Sequence, residues 1–60
     1  MTPLRETIAL LKANGWKNVR EGKKHTIFSK PGAKRPIPVK RHDFDEDDMR
    51  DVLKEAGIRH

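Results

Sequence analysis

Cysteine and tyrosine are absent from the 60 residues, and tryptophan occurs once. Without cysteine, no disulfide can staple the fold and no thiolate can hold a metal. No apolar run is long enough to span a bilayer, and no secretory h-region follows Met1. The expectation is therefore a cytoplasmic chain without membrane contact. A glycine-rich phosphate loop, a Ser or Cys nucleophile constellation and a zinc-ligand spacing are all missing. Length admits one domain, residues 1–60. So short a chain buries only about 60% of its unfolded surface, which leaves stability marginal.

Acids are scarce over most of the chain. Residues 1–41 carry eleven Lys/Arg against Glu6 and Glu21, a formal +9. Residues 42–60 carry three basic residues against seven acids, a formal −4, and the two halves give the overall +5. Such segregation is the electrostatic footprint of a protein that meets a polyanion, most commonly nucleic acid. A solvated, lysine-rich surface is the plainer reading of the same charges.

Thr2 and Pro3 are a helix start, because Pro at the first helical position loses no hydrogen bond. Leu4, Ile8 and Leu11 fall on one face, with Leu10 at its flank, and Asn14-Gly15 supplies the stop. A helix is expected over 3–14. Strands are expected over 16–20, 25–30 and 34–40, separated by turns at Glu21-Gly22-Lys23 and Pro31-Gly32. Pro36 and Pro38 suit an edge strand, since neither can donate to a ladder. Asp45 caps a second helix, with Asp48 at the reciprocal position of a capping box. Met49, Val52, Leu53 and Ala56 form its apolar stripe, and Gly57 ends it with Ile58 folding back. The fold class is α+β: αβββα, a three-stranded antiparallel meander with both helices on one face. Phe28 is the larger apolar side chain of its strand and is expected inward with Thr26, which turns His25 and Ile27 outward.

His25 is the best candidate for chemistry. It opens a strand directly after the basic turn Gly22-Lys23-Lys24, where neighbouring cations attract phosphate. Imidazole can both take and release a proton, as a general base or acid must. An ordinary surface histidine is the competing reading. His42 is a weaker candidate for a second proton-transfer or phosphate-binding group, and His60, the last residue, is expected to fray. Lys23, Lys24, Lys30, Lys34, Arg35, Lys40 and Arg41 suit phosphate contacts, which position a nucleic acid without reading it. Trp16 fits the core better than base stacking. Asp43, Asp45, Glu46, Asp47 and Asp48 read as helix-end acids favoured by the macrodipole rather than as a Mg²⁺ site. One histidine among many cations suits RNA transesterification, because RNA brings its own nucleophile, the 2′-OH. No metal and no small-molecule cofactor is expected.

Four stretches resemble the HicA family of toxins, small mRNA-cleaving proteins of toxin–antitoxin pairs. They are Leu10 to Trp16 (LLKANGW), His25 to Phe28 (HTIF), Ile37 to Val39 (IPV) and Met49 to Ile58 (MRDVLKEAGI). The resemblance implies a fold similar to a double-stranded-RNA-binding domain, metal-independent cleavage of mRNA, and a cognate HicB-type antitoxin that covers the site. It places His25 at the family's catalytic histidine. Two departures stand out. Lys23 and Lys24 replace the small residues that usually precede that histidine, and Lys40 stands where a second histidine often follows, with His42 two places on. Two other readings of the basic surface remain: a non-catalytic double-stranded-RNA-binding module, and a protein-interaction module for an acidic partner.

Overall fold

A computed structural model describes residues 2–59, so the end expected to fray, His60, lies outside the described residues. The elements are α1 (Pro3–Ala13), β1 (Lys17–Glu21), β2 (His25–Ser29), β3 (Ile37–Lys40) and α2 (Glu46–Ala56). This is the αβββα order expected from the sequence. The sheet is an antiparallel meander in the order β1-β2-β3.

Both helices begin and end on local chemistry. Thr2 caps α1 by accepting the Arg5 N–H at 3.3 Å, with proline in the first turn. Asp45 and Asp48 form a full capping box on α2, each side chain accepting the other's backbone N–H, at 3.0 and 3.1 Å. The two C-termini are alike. Gly15 and Gly57 take φ of 90° and 71°, a region that costs a side-chain-bearing residue about 1–2 kcal/mol. The next residue then donates backward: Trp16 N–H to the Leu11 carbonyl, and Ile58 N–H to the Leu53 carbonyl, both at 2.9 Å. Each reversal folds an apolar side chain onto the core, where Trp16 is buried and Ile58 packs against the cluster.

That core joins Leu11, Trp16, Phe28, Ile37, Val39 and Val52, with Leu4, Ile8, Ala56 and Ile58 at its margin. Phe28 faces inward as expected, at 1% exposure, paired across the ladder with Ile37 as Thr26 is with Val39. The stripe of α1 holds one residue that an apolar template passes over. Thr7 is fully buried, and its hydroxyl donates to the Pro3 carbonyl at 2.7 Å. A threonine satisfied this way sits in a core without an unpaired hydroxyl.

Four strand boundaries differ from expectation, and one of them is the end of β1, which runs on to Glu21 because that residue still pairs with Thr26. β1 starts at Lys17 because the Trp16 N–H is spent on the α1 terminus. β2 ends at Ser29, where the turn closed by the Ala33 N–H on the Lys30 carbonyl begins. β3 begins at Ile37 rather than Lys34, because Pro36 brings no N–H to a ladder. Pro38 is tolerated inside β3, which is an edge strand, opposite Ile27. A bulge between Asn18 and Arg20 sets Val19 out of register, and every residue of β1 is exposed.

The capping box makes a measurable claim. Asp45→Ala should cost about 1 kcal/mol. In a domain of this size that lowers the thermal midpoint by roughly 4–8 °C. Circular-dichroism melts check it, and an unchanged midpoint would remove the box from the account of α2.

Candidate active site

His25 is the first residue of β2 and is exposed. Its position follows from the turn before it. The Gly22 N–H donates to the His25 carbonyl at 2.7 Å, closing the loop that carries Lys23 and Lys24. A Cβ on Gly22 would stand 3.2 Å from that carbonyl oxygen, so glycine is the residue that lets the strands meet this closely. A second element holds the loop from the other side. The Arg41 backbone N–H donates to the Lys24 carbonyl at 3.1 Å, and its guanidinium donates to the Gly22 carbonyl at 2.8 Å. The exit of β3 therefore fastens the turn from which His25 emerges.

The same pairing brings in the second histidine. His25 lies opposite Lys40 in the ladder, and His42 follows two residues later. Lys24, His25, Lys40, His42 and Asp43 line one shallow depression of about 330 Å³. Asp43 adopts φ of 55°, an uncommon conformation for a non-glycine residue, beside these groups.

The seven cations expected to bind phosphate divide into three. Lys23 and Lys24 flank His25 on the turn, and among the described residues neither has an ion-pair partner. Arg41 and Lys40 stand close by but are engaged. Arg41 clamps the turn, and the Lys40 ammonium lies 3.2 Å from the Asp48 carboxylate, reaching around the sheet edge to α2. Lys30, Lys34 and Arg35 lie at the other end of the sheet, around a separate depression with Trp16. Lys30 stands over the Trp16 ring, its Nζ 5.4 Å from the centroid. Trp16 itself is 4% exposed and offers no stacking surface.

The acids serve α2. Asp48 accepts the Asp45 N–H, which holds its carboxyl below the ordinary carboxylate value; desolvation opposes this, and the Lys40 ammonium adds to the lowering. Among the described residues no group of three or more His, Asp or Glu has the arrangement of a metal site.

The family model for the HicA toxin of bacterial toxin–antitoxin systems matches residues 4–58. The chain belongs to the HicA toxin family. The match begins one residue into α1 and takes in the other four elements, the turn before His25 and the His42 segment. A HicA toxin is one half of a pair, so an antitoxin is its partner. Comparison with curated proteins and with solved structures gave no match. No helix among the described residues is long and apolar enough to cross a membrane.

Sequence reading alone did not find the Arg41 clamp. Its two ends are 19 residues apart and carry no motif. Its role is testable without reference to activity. Arg41→Ala should accelerate exchange of the Gly22 amide, which closes the turn, by about tenfold, the equivalent of one net hydrogen bond, while leaving the β2 and β3 amides protected. Unchanged exchange in the turn would show that the guanidinium does not hold it.

Proposed function

We propose that this HicA toxin is a metal-independent endoribonuclease that cleaves mRNA by transesterification, with His25 as one proton-transfer group and His42 as the other. The observation that carries the reading is the pair of imidazoles lining one depression beside Lys24. Cleavage needs one group to remove the 2′-OH proton while the 2′ oxygen attacks phosphorus. It needs another to protonate the 5′ oxygen as the P–O5′ bond breaks. One neutral and one protonated imidazole meet both demands, and proton exchange with solvent restores them after each cleavage. The products are a 2′,3′-cyclic phosphate and a 5′-hydroxyl. Lys23 and Lys24 would neutralise the charge that builds on the phosphorane, a contribution that grows with the developing charge. Lys30, Lys34 and Arg35 would hold the strand further along. A single domain spanning residues 1–60 suffices for this, and the antitoxin, of HicB type, would act by covering the histidines.

The test is cleavage of a mixed-sequence RNA and the matching DNA in EDTA. RNA alone should be cut, leaving 2′,3′-cyclic phosphate ends. Substituting deoxyribose at a mapped cleavage position should protect that position. Cleavage of DNA, or dependence on a divalent ion, would overturn the mechanism.

A further inference from the structure

The sheet has two faces, and the core uses one. Thr26, Phe28, Ile37 and Val39 point toward the helices. Their neighbours point away: His25, Ile27 and Ser29 on β2, with Lys40 and Pro38 opposite on β3 and Arg20 and Lys17 opposite on β1. None of these seven residues is buried, so no helix covers them. None is acidic either. Glu21, the one acid in the strands, pairs with Thr26 on the other side. The helical layer has the reverse sign: α2 and its cap carry six acids against Arg50 and Lys54.

We infer that the uncovered sheet face is the RNA surface, that it takes single-stranded RNA, and that Lys17 and Arg20 of β1 are phosphate-binding residues. This deepens the ribonuclease reading and rests on it. Three observations support it. The charge is placed for phosphate, with Lys17 and Arg20 along the β1 edge and no acid on the face, while Lys40 at the β3 edge is shared with Asp48. The middle is apolar. Ile27 and Pro38 are paired across the ladder, and Val19, the extra residue of the bulge, is 59% exposed beside Arg20. A duplex presents phosphate and sugar and hides its base faces, so it has nothing to lay on such a strip; a single strand does. Finally, His25 stands at one end of this face, so a strand lying along β2 delivers a 2′-OH to it. From His25 to Ser29 the face is about 13 Å long. An approach by the other side would meet the acids of α2.

The experiment uses the full chain carrying His25→Ala, which prevents cleavage of the probe, and a short fluorescein-labelled single-stranded RNA of mixed sequence. Anisotropy gives Kd as a function of salt. Adding Lys17→Ala and Arg20→Ala should weaken binding about tenfold and lower the salt slope by about 1.4, the value for two phosphate contacts on a single strand. A control pair, Lys12→Ala and Lys54→Ala on the helices, removes equal charge and should change Kd less than twofold. The RNA duplex of the same sequence should compete at least tenfold more weakly than the single strand. Circular-dichroism melts confirm that each variant is folded. If the helix pair weakens binding as much as the strand pair, or the duplex competes equally, the assignment of this face is overturned while the ribonuclease reading stands. If the His25→Ala parent binds no RNA, both fall together.

Discussion

His25→Ala should lower the rate of RNA cleavage by about 10²–10⁴, the range over which one positioned proton-transfer group contributes. In barrier height that is roughly 3–5 kcal/mol. The thermal midpoint should stay where it is, because the side chain is exposed and only its backbone carbonyl takes part in the turn. That separation gives the variant its value: a loss of activity here cannot be blamed on unfolding. His25→Asn keeps a polar side chain of similar size but transfers no proton, and should fall as far as alanine. If asparagine retains most of the rate, His25 binds phosphate and the proton moves elsewhere. His42→Ala should remove one limb of the pH–rate profile, as expected for the second member of an acid–base pair. Initial rates at saturating RNA across pH 5–9 distinguish these outcomes.

Phe28→Ala should destabilise the fold by about 3–5 kcal/mol, the usual result of truncating a buried aromatic ring. The ring is 1% exposed and lies on the helix-facing side of β2, where the core residues of both helices and β3 converge. A domain of this length starts near the low end of the ordinary stability range, about 5 kcal/mol. Most of the margin is therefore lost, and much of the variant should be unfolded at 37 °C. Urea titration followed by circular dichroism measures it. Val19→Ala is the control. It removes an apolar side chain from the same sheet at an exposed position and should stay within about 0.5 kcal/mol of the parent. A Phe28→Ala chain as stable as that control would mean that the core does not depend on the β2 ring.

The fold was legible where local chemistry and periodicity agreed. The capping box at Asp45 and Asp48, the glycine stops and the α2 stripe are all written within a few neighbouring residues, and the structure has each of them. Strand ends were less legible, because they depend on where an N–H is spent. Nothing local in Trp16 announces that its N–H returns to Leu11. The bulge at Val19 and the exposure of all of β1 follow from what packs on the sheet, which no pattern within β1 encodes. His25 could be picked out from its turn. The place of His42 could not, because the pairing of β2 with β3 is what brings both histidines to the lining of one depression across 17 positions of sequence. The same holds for Lys40, whose charge looked available until the edge of the sheet brought Asp48 beside it.

Trp16 gives the molecule a built-in optical gauge. It is the single tryptophan, and no tyrosine adds to its signal. Its indole lies where α1 passes into β1, shielded from water, with the buried Nε1 making no hydrogen bond among the described residues and an ammonium above the ring. Light emitted from such a site is blue of that from a wet indole, and it moves to the red when the core opens. An RNA strand lying on the far face of the sheet leaves the ring dry. One cuvette therefore tells a chain that has bound from a chain that has melted, by colour alone.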